Sequence, residues 1–133
     1  MAVRRYNPDT LHAPAGQYSH LAVVPGGMSL VFIAGQVGAR LDGSLAGDIE
    51  AQIRQTFENL LKALAAEGLD ANALVQLTYY LTDKAHVPIL REVRQTYLPD
   101  PPPATTALIV ASLMDDTWLF ELDAVAAKSG ESG

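Results

Sequence analysis

Three consecutive prolines, Pro101-Pro102-Pro103, run straight into Ala104-Thr105-Thr106-Ala107-Leu108-Ile109-Val110. Proline has no backbone N–H and its ring clashes with the preceding helical turn, so a helix stops before such a run. The β-branched and apolar residues beyond it read as a strand. The chain therefore switches from helix to strand at a fixed place. At the start of that strand, where a fold often displays a working side chain, stand two small hydroxyls and no charge.

The 133 residues suffice for one ordinary domain with a real core, and 49% of them are apolar. Net charge is −6, and Arg4-Arg5 is the only adjacent basic pair. Phosphate recognition needs clustered Lys and Arg, so nucleic acid is not an expected partner. The absence of cysteine excludes disulfides, thiolate metal sites and cysteine nucleophiles. No stretch has the apolar length of a membrane span and no secretory leader is visible, which sets a cytoplasmic location as the expectation. One domain is expected over residues 1–127, with a flexible tail at 128–133.

Periodicity supplies the elements. Residues 1–17 look irregular, punctuated by Pro8, Pro14 and Gly16. Tyr18–Val24 and Ser29–Ala34 flank Pro25-Gly26-Gly27 and predict a β-hairpin. Gly35–Gly38 continues as an irregular strand or bulge, and Asp42-Gly43 marks a turn. Ile49, Ile53, Phe57, Leu60, Leu61 and Leu64 form one stripe of a 3.6-residue period, predicting a helix over 48–67 that Gly68 ends. Leu74–Leu81 predicts a strand. A second helix runs to about Leu98, with Pro88 in its first turn and Pro99 past its end. Ala104–Ala111 and Trp118–Ala127 are the last strands. This order predicts an α+β layer with both helices on one face of a mixed sheet.

The last strand alternates. Phe120, Leu122 and Ala124 are expected to meet the helices, while Glu121, Asp123 and Val125 face the other way. That second face, to which Ile33, Val75, Leu77 and Ile109 are also assigned, is too apolar to be left open. Other subunits are expected to cover it.

Ile33-Ala34-Gly35-Gln36-Val37, Glu67-Gly68-Leu69, Leu81-Thr82-Asp83, Pro102-Pro103-Ala104 and Phe120 to Ala126, in that order, resemble the reactive intermediate deaminase family, also called Rid or YjgF-like. The likeness spans roughly residues 14–127. It implies a chorismate-mutase-like α+β fold assembled as a homotrimer with clefts between subunits. It further implies hydrolysis of reactive enamines and imines to a ketoacid and ammonia, without metal or organic cofactor. Some members of the family have been described as ribonucleases, a reading the acidic charge does not favour.

The family's site centres on an arginine just after the Pro-Ala pair, which grips the substrate carboxylate. Here that position is Thr105, so the chain resembles an atypical member. The small residue two positions on matches Ala107, the first-strand tyrosine matches Tyr18, and the last-strand glutamate matches Glu121. A family asparagine on the second helix is replaced by Arg91, and a tyrosine three positions later by Arg94. Arg91 would supply the positive charge that Thr105 lacks, or would be a solvated helix residue.

Glu121 is the candidate catalytic group, activating water; its bland alternative is a structural ion pair. Tyr18, Gly35, Arg91, Thr105 and Ala107 are the candidate ligand-binding positions, Gly35 and Ala107 through backbone groups. Thr105 and Thr106 also suit a strand simply as β-branched residues. His12, His20 and His86 lie in separate elements without ligand spacing, so no metal site is expected. Gly26-Gly27 lacks the strand–turn–helix context of a phosphate loop. Two functions remain open: a small-molecule enamine or imine hydrolase with an unusual substrate preference, or a non-catalytic trimer that binds a metabolite or scaffolds a partner.

Overall fold

The computed structural model describes residues 2–130. Its main sheet is four-stranded, in the order β3 (Ser29–Val37), β6 (Phe120–Lys128), β4 (Leu74–Leu81), β5 (Ala104–Ile109). β6 is antiparallel to both neighbours, and β4 and β5 run parallel. The sheet is thus mixed, as the element order predicts. A small second sheet pairs β1 (Arg4–Tyr6) with β2 (Leu21–Val23).

Helix α1 (Ile49–Ala66) forms where the stripe predicts it. The Asp48 side chain accepts a hydrogen bond from the Ala51 N–H, satisfying one of the unpaired donors of the first turn. Gly68 ends the helix at φ +72, a left-handed conformation that a Cβ would disfavour. Ile53, Phe57, Leu60 and Leu64 are buried against the sheet. Helix α2 (Val87–Arg94) is shorter than predicted, since Gln95–Leu98 relaxes into a turn. Pro88 sits in its first turn, where a missing N–H costs nothing.

Both helices cover one face of the sheet. Leu90 and Val93 of α2 join α1 and the sheet in a single core with Leu74, Leu77, Tyr79, Leu81, Phe120 and Leu122. The Phe57 ring stacks on Tyr97 at 5.0 Å and meets Tyr79 edge-on at 5.9 Å. Buried Gln52 pins the start of β6, accepting from the Leu119 N–H and donating to the Thr117 carbonyl. No described helix is long and apolar enough to cross a membrane.

Four expectations are corrected. The Pro25-Gly26-Gly27 turn exists, with Gly27 at φ +88, but it does not close a hairpin. The strand before it pairs with β1, and the strand after it pairs with β6 along nearly its whole length. The supposedly irregular N-terminal segment contains β1, held to the body by Arg5, which donates to the carbonyls of Pro101, Asn72 and Leu74. Third, Ile33 and Leu77 lie on the core face, not the open one. Both pair with Ala124, and both are buried. A register shift between Leu74 and Gln76 inverts the alternation of β4, and a second between Ile33 and Gln36 inverts that of β3. Ile109 belongs to the same row as buried Leu81, at the sheet's edge rather than on its open face. Lys128, placed by sequence in the tail, is the last residue of β6 and pairs with Glu67 at 3.1 Å. Residues 131–133 of that expected tail lie outside the described residues.

Candidate functional site

The candidate residues fall into two groups on opposite faces of the sheet. Register decides this. Thr105 pairs with Leu77, and Leu77 with Ala124; Ala107 pairs with Tyr79, and Tyr79 with Leu122. Those partners are core residues, so Thr105 and Ala107 point to the helix side. Glu121 pairs with Tyr80, and Tyr80 with Leu108, one residue out of phase and therefore on the open side.

On the helix side, a cavity of about 500 Å³ opens between β5 and α2. Thr105, Ala107, Tyr18 and Arg91 line it; Gly35 and Glu121, expected in the same site, do not. Ser19 explains how Tyr18 arrives there. Its N–H donates to the Pro103 carbonyl at 3.1 Å and its hydroxyl to the Pro102 carbonyl at 2.6 Å. The proline run is thus a backbone rail on which residues 18–19 are hung beside the start of β5. The Tyr18 hydroxyl accepts from the Ala15 N–H at 3.3 Å, which leaves its own proton free to donate.

Thr105 is less available than its position suggests. Its hydroxyl donates to the Pro103 carbonyl at 2.9 Å, so it presents a ligand with an acceptor, not a donor. Such an oxygen neither grips a carboxylate nor hydrogen-bonds a ligand carbonyl. Among the described residues, the charged ones lining the cavity are all cations: Lys84, Arg91 and Arg94. Arg94 is the residue that the sequence reading passed over. It is only 7% exposed, and its Nε has no hydrogen-bond partner among the described residues. Burial pushes its guanidinium below the ordinary value, and Arg91 adds to the shift. The signal was present in the spacing: Arg94 follows Leu90 by four residues, on the buried stripe of α2.

On the open side, Glu121 and Asp123 border a shallow cleft of about 350 Å³ with Tyr80, Val110 and Met114. Tyr80 donates its hydroxyl to Asp123 Oδ2 at 2.8 Å. The Glu121 carboxyl is held above the usual carboxylate range, first by burial and then by the nearby negative charge of Asp123. Gly35 lies against it: a Cβ at that position would overlap Glu121 Oε2. Gly35 and Glu121 therefore form one unit, and within a single chain neither meets the cavity of Thr105 and Arg94.

His12 and His20, far apart in the predicted elements, meet ring to ring at 4.9 Å, and His20 Nε2 lies 2.7 Å from the His12 carbonyl. No group of three or more metal-ligating side chains gathers among the described residues.

A family model described as Endoribonuclease L-PSP, the model of the YjgF/RidA proteins, matches residues 10–128. The chain belongs to the Rid family. Among Rid relatives, it is 35% identical over 117 residues to a RutC family protein of Pyrococcus horikoshii, covering 86% of this chain and 90% of that one. It is 30% identical over 116 residues to the chloroplastic Reactive Intermediate Deaminase A of Arabidopsis thaliana, covering 84% of this chain and 60% of that one. The solved structure of a Rid family protein of unknown function from Yersinia pestis superposes with a TM-score of 0.85 at 27% identity, covering 95% of this chain and 98% of that one. The α+β Rid architecture expected from the sequence is the one observed.

Proposed function

We propose that this Rid protein hydrolyses a small enamine or imine at sites shared between the subunits of a homotrimer. The observation that carries the reading is the division of the candidate site by the sheet. An acid with a raised affinity for protons sits on the open face, and a ligand-sized cavity sits behind the other. A second copy whose cavity rim docks against the open face would bring the two halves together. The open face suits such docking. Phe32 is 76% exposed there, and Leu30 and Leu108 are also exposed. Apolar side chains in that density favour a protein partner over water.

In this reading the cavity holds the substrate and Glu121 of the adjacent copy handles protons. An enamine takes up a proton at carbon to become an iminium ion, and a proton is released again from the carbinolamine hydroxyl when the ketone forms. Water then adds across the C=N bond, and the nitrogen leaves as ammonia, giving the ketone. Glu121 as carboxylate takes the proton of the attacking water, and as carboxylic acid it returns one to the departing nitrogen. A carboxyl group poised above its usual range suits both duties. Tyr18 has a proton to donate to the substrate. A relative bearing the name reactive intermediate deaminase adds support.

The test generates 2-aminoacrylate in place with a serine dehydratase and follows ammonia and ketoacid release. The protein is expected to accelerate release, and Glu121→Gln to abolish the acceleration. No acceleration across a panel of short enamines and imines, or full activity in Glu121→Gln, would contradict the reading.

A further inference from the structure

An arginine that is 93% buried normally has a carboxylate or several carbonyls around its guanidinium, because an unpaired buried charge is costly. Arg94 has no such company. Its Nε is unpartnered, and neither ion pair among the described residues, Arg54–Glu50 and Lys128–Glu67, involves it. The Tyr79 ring lies 5.9 Å from its Cζ, and the buried Tyr79 hydroxyl makes no hydrogen bond to it. On its other side, Nη2 is packed so closely against Gly16 that a Cβ there would stand 2.7 Å from it. The glycine leaves the guanidinium its place at the cavity wall. Among the described residues no acid lines that cavity, and Arg91 and Lys84 add two further positive charges in a chain whose net charge is −6.

We infer that Arg94 is the anion anchor of this cavity, binding the carboxylate of a small 2-imino or 2-oxo acid from the α2 wall. This rests on the reading of the cavity as the substrate site, and it assigns the residue of this chain that takes the carboxylate where Thr105 does not. Thr105 then has a different place in the site: its hydroxyl is committed to Pro103 and it only shapes the floor. Arg91, exposed at the rim, contributes general attraction and little of the grip.

The probe is pyruvate, with pyruvamide as its neutral counterpart, titrated into the intact oligomer by calorimetry and by NMR of the arginine Nε–H groups. Pyruvate is expected to bind more tightly than pyruvamide and to move the Arg94 Nε–H resonance. Arg94→Met is expected to weaken pyruvate by about tenfold or more, since a charge-assisted contact is lost, and to leave pyruvamide unchanged. Arg94→Lys should recover part of the loss, and Arg91→Met should weaken pyruvate only a few-fold by roughly the scale of an exposed charge. Should Arg94→Met fail to fold, the wild-type Nε–H titration still decides. Equal binding of pyruvate and pyruvamide, or an Arg94 resonance that stays fixed while pyruvate binds, would overturn the inference. Binding is read without turnover, so a protein that binds pyruvate through Arg94 yet hydrolyses nothing would separate this inference from the catalytic proposal.

Discussion

The two faces of the sheet share strands and alternate residue by residue, yet they differ in how finished they are. The helix-covered face is closed by this chain alone: Leu74, Leu77, Tyr79, Phe120 and Leu122 have no measurable exposure. The open face carries Phe32 at 76% exposure beside Glu121 and Asp123, an apolar surface holding two acids. One face explains why a protomer folds. The other is explained only if something comes to cover it. The difference teaches that alternate residues of one strand answer to different surroundings: Leu122 is sealed in the core while Glu121 and Asp123 beside it face outward.

The sharpest break between the faces is expected from Leu122→Ala. It empties a fully buried position and should cost about 2–5 kcal/mol of unfolding free energy. Denaturant titration checks this, and the loss should not depend on protein concentration. Gly35→Ala comes next. Its Cβ must push aside the Glu121 carboxylate, the end of a flexible and only partly buried side chain, so the cost in stability should be about 1 kcal/mol or less. Enamine hydrolysis should fall with it while pyruvate binding persists. Phe32→Asp should change the protomer's own stability least, within about 0.5 kcal/mol as for other exposed substitutions. If the proposed trimer forms through this face, the variant should sediment as a monomer where the parent sediments as a trimer. A Phe32→Asp protein that remains assembled would show that the open face is not the interface.

The Glu121 carboxyl sharpens the comparison through pH. Its proton affinity is raised in the folded protein, first by burial and then by Asp123. The protonated form therefore favours folding. That contribution is complete below the ordinary glutamate range and is lost as pH rises through the raised value. Glu121→Gln should accordingly be more stable than the parent at neutral pH and no more stable in acid. Thermal melts across pH 3 to 8 would reveal a convergence at the acidic end, pH limits chosen around the roughly 4.3 of an unperturbed glutamate.

Much of this was legible in the sequence. Helix α1 declares itself through its stripe, its Asp48 cap and its Gly68 stop, and β4 through a run of Val, Thr and Tyr between turn signals. Pairing was less legible. A Pro-Gly-Gly turn states that the chain reverses, not which strand receives it, and three-residue β1 has too little alternation to show. Alternation fixes which residues share a face only while the register is unbroken. Leu77 was assigned to the wrong side because one extra residue before Gln76 inverts the count. The site suffered likewise. Thr105 was found by its place after the prolines, but its hydrogen bond to Pro103 was not foreseeable. Arg94 stands out in the sequence only as the replacement of a family tyrosine, because spacing alone does not show that its guanidinium is buried beside a cavity.

The central claim is that each site joins the cavity of one subunit to the Glu121 of another, and subunit mixing tests it most directly. Glu121→Gln keeps its cavity, and Ala107→Trp keeps its acid while filling the cavity. Each alone should be inactive towards 2-aminoacrylate. Denatured together in equal amounts and refolded, they should regain about one quarter of wild-type turnover, because random assembly pairs an intact cavity with an intact neighbouring acid in that share of sites. A mixture as inactive as its two parents would mean that the acid and the cavity never meet across an interface.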